Sequence, residues 1–167
     1  MSRLKEQSEA LAACLWLGVV DTARVAVWAD GWIRASDAPA GTICELALAS
    51  NESVGDVVTR LHGIPGSAST ESVRSLICAR LKIERSDGRL TDEQVAESLC
   101  RMGIHSIDRE RIRWSGCFHD ELDEKNGAEI VRQFKGQSRE DVVKQMSRVL
   151  DELSEGAAWT PTETGGA

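Results

Sequence analysis

Apolar residues recur along this chain at intervals of three and four, which predicts amphipathic α-helices from end to end. The clearest case is near the C-terminus. Ser138-Arg139-Glu140-Asp141 opens a segment in which Val142, Met146, Val149, Leu150 and Leu153 form a single stripe. Near the N-terminus, Leu4, Leu11, Cys14 and Leu15 share a face over residues 3–17, and Gly18 is the expected stop. Asp21 is placed to cap a second helix carrying Val25, Trp28, Ala29, Trp32 and Ile33. Gly31 weakens the interior of that helix by about 1 kcal/mol relative to alanine.

Ser36-Asp37-Ala38-Pro39 reads as the start of a third helix, because short polar side chains accept from free N–H groups and proline is tolerated in a first turn. Ile43, Leu46, Ala47 and Leu48 follow it. A fourth helix is expected to start near Ser50-Asn51. Its valines, Val54, Val57 and Val58, favour a strand by propensity, but with Leu61 they fall at helical spacing, and the period decides. The run His62-Gly63-Ile64-Pro65-Gly66 ends it. A fifth helix carries Val73, Leu76, Ile77 and Leu81. Thr91-Asp92-Glu93-Gln94 has the spacing of a capping box, opening a sixth with Val95, Leu99 and Met102 facing inward and Gly103 as its stop.

Residues 104–137 break the regularity. Ile104, Ile107 and Ile112 suggest a short helix, Trp114-Ser115-Gly116-Cys117-Phe118 interrupts it, and Glu129 to Phe134 has the look of a short strand. The fold class expected is therefore all-α: a compact, bundle-like array of about six to eight short helices, with a short irregular or β segment within 104–137. Residues 1–155 are expected to form one domain, with a subdivision near 103–106, and residues 156–167 a disordered tail.

Composition narrows the class of function mainly by exclusion. The 167 residues suffice for one domain and its core. The formal charge of −7 disfavours phosphate backbones, and the arginines are scattered among acids. The two helix-turn-helix candidates begin their second helices with Glu71 and Asp92-Glu93, where a DNA reader needs basic or amide groups. Nucleic acid is therefore not expected as a partner. No run approaches the ~20 apolar residues of a membrane span and no leader segment is visible. The five cysteines are widely spaced and lack a zinc or redox dithiol pattern, so they read as reduced, largely buried thiols of a cytoplasmic protein.

Three local features carry candidate chemistry. Residues 83–94 resemble an EF-hand loop when Gly88 takes the glycine position. The first, third and twelfth positions are then Ile83, Arg85 and Gln94, which cannot supply the oxygens calcium needs. Cys117-Phe118-His119-Asp120-Glu121 concentrates sulfur, imidazole and carboxylates but lacks further nearby ligands. No metal, cofactor or catalytic motif is expected. The run His119-Asp120-Glu121-Leu122-Asp123-Glu124 is the strongest local charge feature, and the tryptophans number five, with no tyrosine.

The leading expectation is a non-enzymatic, acidic, protein-binding domain: an inhibitor of the immunity or antitoxin type, or an adaptor. It would meet a protein partner of basic charge through Trp32, Trp114, His119, Asp120, Glu121, Asp123 and Glu124. The alternative is an enzyme or small-ligand protein with a site around His62, His105, Cys117 and His119. Self-association is a third reading. Trp159, in the expected tail, either tucks back onto the domain or serves as a docking handle.

Overall fold

A computed structural model of the chain describes residues 2–104 and 139–159; of Ser2, Cys100, Gly103, Ile104, Arg139 and Val142 it describes the backbone alone. Among these residues the fold is all-helical, with no strand. The described residues form seven helices, in chain order α1 (Ser2–Leu17), α2 (Thr22–Arg34), α3 (Gly41–Ala47), α4 (Val54–Gly63), α5 (Thr70–Ser86), α6 (Asp92–Ile104) and α7 (Arg139–Leu153). Residues 105–138, which hold the expected irregular or β segment, lie outside the described residues.

The chain forms two compact units, Met1–Arg80 with Ser154–Ala167 and Leu81–Leu153, so the division falls inside α5. In the first unit α1 packs on α4, and α2 on α3. Its core is built from Leu11, Cys14 and Leu15 of α1, Val25, Trp28 and Ala29 of α2, Ile43 and Leu46 of α3, and Val57, Val58 and Leu61 of α4. Burying each large aliphatic side chain stabilises the fold by about 1.5–3 kcal/mol. The second unit buries Leu81, Val95, Ala96, Leu99, Met146 and Leu150. Within it, Arg85 bonds both Asp92 (2.7 Å) and Ser147 (2.8 Å), and Lys82 pairs with Asp151 at 2.5 Å.

The helix ends follow from local chemistry. Gly18 takes φ +71°, and the N–H groups of Gly18 and Val19 return to the carbonyls of Leu15 and Cys14. That is a Schellman closure, in which glycine occupies the left-handed position without a Cβ penalty. Asp21 caps α2 by accepting from the Arg24 N–H at 2.9 Å. The turn between α5 and α6 joins a second such closure at Gly88 (φ +71°) to the Thr91/Gln94 capping box. In that box Thr91 N–H donates to Gln94 Oε1 (2.9 Å) and Gln94 N–H to Thr91 Oγ1 (3.3 Å). The resemblance of this stretch to a calcium loop thus reflects turn and cap chemistry.

Two helix starts differ from the sequence expectation. Ser36 Oγ accepts from the Ala38 N–H at 3.3 Å, forming a local turn ahead of the helix. α3 begins only at Gly41, with Ala40 at its N-cap and no side-chain cap bond, and Leu48 is its 83% exposed C-cap instead of a core residue. α4 begins at Val54, where Ser53 rather than Ser50 caps by accepting from the Asp56 N–H; Val54 itself is exposed. α6 runs one residue past its expected stop, to Ile104.

Candidate functional site

The polar centre of the first unit is Gln7, fully buried on α1. Its Oε1 accepts from the indole N–H groups of Trp28 (3.0 Å) and Trp32 (3.2 Å), whose rings meet edge to face at 6.5 Å and 71°. Indole nitrogen can only donate, so these two bonds fix which way the amide points. Its Nε2 then donates to the Ala158 carbonyl at 3.2 Å. Trp32 is therefore half-buried with its one polar atom satisfied within the fold.

The outer side of α1 lines a different feature. Lys5, Glu9, Ala13 and Trp16 recur at intervals of three and four along one face. With His62 of α4, Ala68, and Thr70 and Val73 of α5 they enclose an open groove of about 500 Å³. Ala13, Trp16, Ala68 and Val73 supply apolar surface. Trp16 is 65% exposed, the largest side chain among the exposed apolar residues described.

The polar end of the groove is a connected cluster. Glu9 accepts from Lys5 Nζ on Oε1 (2.5 Å) and faces His62 Nδ1 with Oε2 (2.8 Å). Lys5 Nζ also donates to the His62 carbonyl at 2.8 Å. That carbonyl belongs to the last turn of α4, where a cation complements the free carbonyls and the negative end of the helix dipole. The His62 ring is half-exposed and is held to Glu9 through Nδ1.

Of the residues singled out in the sequence, His62 lies in this groove and Trp32 lies in the Gln7 network. Trp114, His119, Asp120, Glu121, Asp123 and Glu124, with His105 and Cys117, fall outside the described residues. Trp159 takes the first of its two expected courses. It is buried, its indole N–H donates to the Leu76 carbonyl at 3.2 Å, and its ring lies against the Arg80 guanidinium at 5.4 Å. The segment expected to be a loose tail therefore has a defined course as far as Trp159. Of the cysteines, Cys14 and Cys78 are buried, whereas Cys44 is exposed on α3, contrary to its reading as a core thiol. No group of three metal-ligating side chains occurs among the described residues, and no described helix is long and apolar enough to cross a membrane.

Among the described residues, fold and groove together define a class, an all-helical protein whose first unit carries a surface groove rimmed by Trp16 and ending in a charged cluster. No protein-family model, no curated protein and no solved structure matches the chain.

Proposed function

We propose that the protein is a non-enzymatic binding domain for a protein partner, of the inhibitor or adaptor kind represented by immunity and antitoxin proteins. The observation that carries this reading is Trp16, a large aromatic left mostly in solvent at the rim of a preformed groove. Tryptophan is the residue type most enriched among interface anchors, because it buries much area at small entropic cost. The neighbouring Lys5–Glu9–His62 cluster offers polar groups to orient what enters. The net charge of −7 favours a partner of basic charge.

The test is substitution of Trp16 in a pull-down with the partner followed by titration. Trp16→Ala is expected to leave the melting temperature nearly unchanged, since exposed substitutions alter stability by about 0.5 kcal/mol or less. It is expected to weaken binding by about 2 kcal/mol, roughly thirtyfold. A partner held as tightly by Trp16→Ala as by the wild type would remove the groove from the interface.

One observation favours a second reading, a small-ligand or enzymatic site. The Glu9 carboxylate holds the His62 imidazole through Nδ1 at 2.8 Å, the carboxylate–imidazole pairing found behind general bases, and Thr70 borders the same groove. Here His62→Gln would abolish ligand binding or turnover at unchanged stability, while Trp16→Ala would leave protein association untouched.

A further inference from the structure

We propose that the seat of Trp159 is a peptide-binding site, filled in this structure by the chain's own residues 157–159 and able to accept the same segment from a second copy. The seat is built from two helices of the first unit. On α1, Arg3 Nη2 and Gln7 Nε2, one helical turn apart, both donate to the Ala158 carbonyl, at 3.1 and 3.2 Å. On α5, the Leu76 carbonyl accepts the indole N–H at 3.2 Å, and Arg80, 1% exposed, lays its guanidinium against the ring at 5.4 Å. A backbone clamp beside a pocket for one aromatic side chain is how extended peptides are read: main-chain bonds hold the segment and the pocket selects the residue.

The occupant is marked by the segment itself. Residues 157–159 have no regular secondary structure. A turn bond at their start runs from the Ala157 N–H to the Ser154 carbonyl, and the clamp and indole bonds hold Ala158 and Trp159. The turn before them contains Gly156 at φ +74°, a conformation glycine adopts at no steric cost. Alanines at 157 and 158 let the backbone lie close to α1, and a tryptophan follows in the place the pocket is shaped for. A second copy presents the identical segment and forms the identical bonds in trans, which is the low-cost route of segment exchange. This proposal does not depend on the Trp16 groove or on what enters it.

The experiment offers a labelled peptide of residues 155–162 to the full-length chain carrying Trp159→Ala, followed by fluorescence anisotropy. The expected result is saturable one-to-one binding. Affinity for the wild type should be at least roughly tenfold weaker, because there the tethered segment competes at an effective concentration in the millimolar range. The same peptide carrying Trp159→Ala should not bind. A Trp159→Ala chain that keeps its helical circular dichroism and fails to bind the peptide overturns the proposal. Equal binding to variant and wild type also overturns it, because the peptide would then sit elsewhere. Should Trp159→Ala unfold, Trp159→Leu keeps the pocket lined with apolar surface while losing the indole N–H, and the same comparison decides.

Discussion

At the scale of single residues, Gln7 has the largest consequences. It is a buried amide with all three of its described bonds inside the protein, two of them from tryptophans. Gln7→Met preserves length and volume but leaves the buried Trp28 N–H without its acceptor. An orphaned buried donor costs about 1–3 kcal/mol, so with the half-buried Trp32 the expected loss is about 2–4 kcal/mol in urea or thermal unfolding. The cost arises from the unsatisfied donor, and that gives a check. Gln7→Met combined with Trp28→Phe is expected to cost less than the two single changes summed, because the second substitution removes the group the first one orphans. Additive losses would show that Gln7 acts only through packing. Nothing local in the sequence marks this residue. A glutamine one turn after Arg3 looks like an ordinary polar position, and its partners lie 21 and 25 residues away on α2. The groove was hidden in the same way. His62 stood out as one of three histidines, but Glu9 is 53 residues from it. Trp16 carried a faint signal, as an aromatic beside the Leu11, Cys14 and Leu15 stripe and not on it.

At the scale of elements, most of the fold was legible because helical periodicity is written into contiguous residues. Most of the stripe residues on α1, α2 and α4 to α6 are buried, with Val54 exposed and Leu4, Val73 and Met102 only partly covered, and Asp21, Thr91, Gln94 and Gly18 do what their types and spacing predict. The errors sit at starts where two local options compete. Ser36 can cap a helix or close a turn on Ala38, and it does the latter, so α3 starts four residues later than a Ser36 cap would place it, with Ala40 at its N-cap. Ser50 and Ser53 can both cap α4, and only Ser53 has Asp56 three residues on to complete the bond. The uncapped start of α3 gives an expectation of opposite sign to most substitutions. Ala40 has φ −63° and ψ 143°, already the extended conformation of a capping residue. Ala40→Ser supplies the missing acceptor without moving the backbone and should stabilise the protein by about 1 kcal/mol, read as a raised denaturation midpoint. Thr91→Ala, which dismantles one half of a box already formed, should lower it by a similar amount. A variant of Ala40 that lowers the midpoint would mean the first turn of α3 is satisfied in some other way.

At the scale of the whole molecule, the proposed binding function would have charge and the exposed aromatic act on different steps of association, and kinetics can separate them. The chain carries 27 acidic against 20 basic side chains. Their field extends about a Debye length, ~10 Å at 0.1 M salt, so it would accelerate the approach of the proposed basic partner without needing contact. As the proposed anchor, Trp16 would act only after contact, by the area it buries. Raising salt should therefore slow association with the partner while the dissociation rate changes little, and Trp16→Ala should speed dissociation while leaving association nearly as fast as in the wild type. Surface plasmon resonance at two salt concentrations on both proteins gives the four rates needed. The charge term fails if association is indifferent to salt, because a partner drawn by an acidic surface cannot ignore its screening. The anchor term fails if Trp16→Ala changes only the association rate, because an aromatic that steers but does not hold is not seated in the interface. The two terms stand or fall separately, so a neutral partner that still needs Trp16 would keep the groove as the docking site and remove net charge from the account of how it is found.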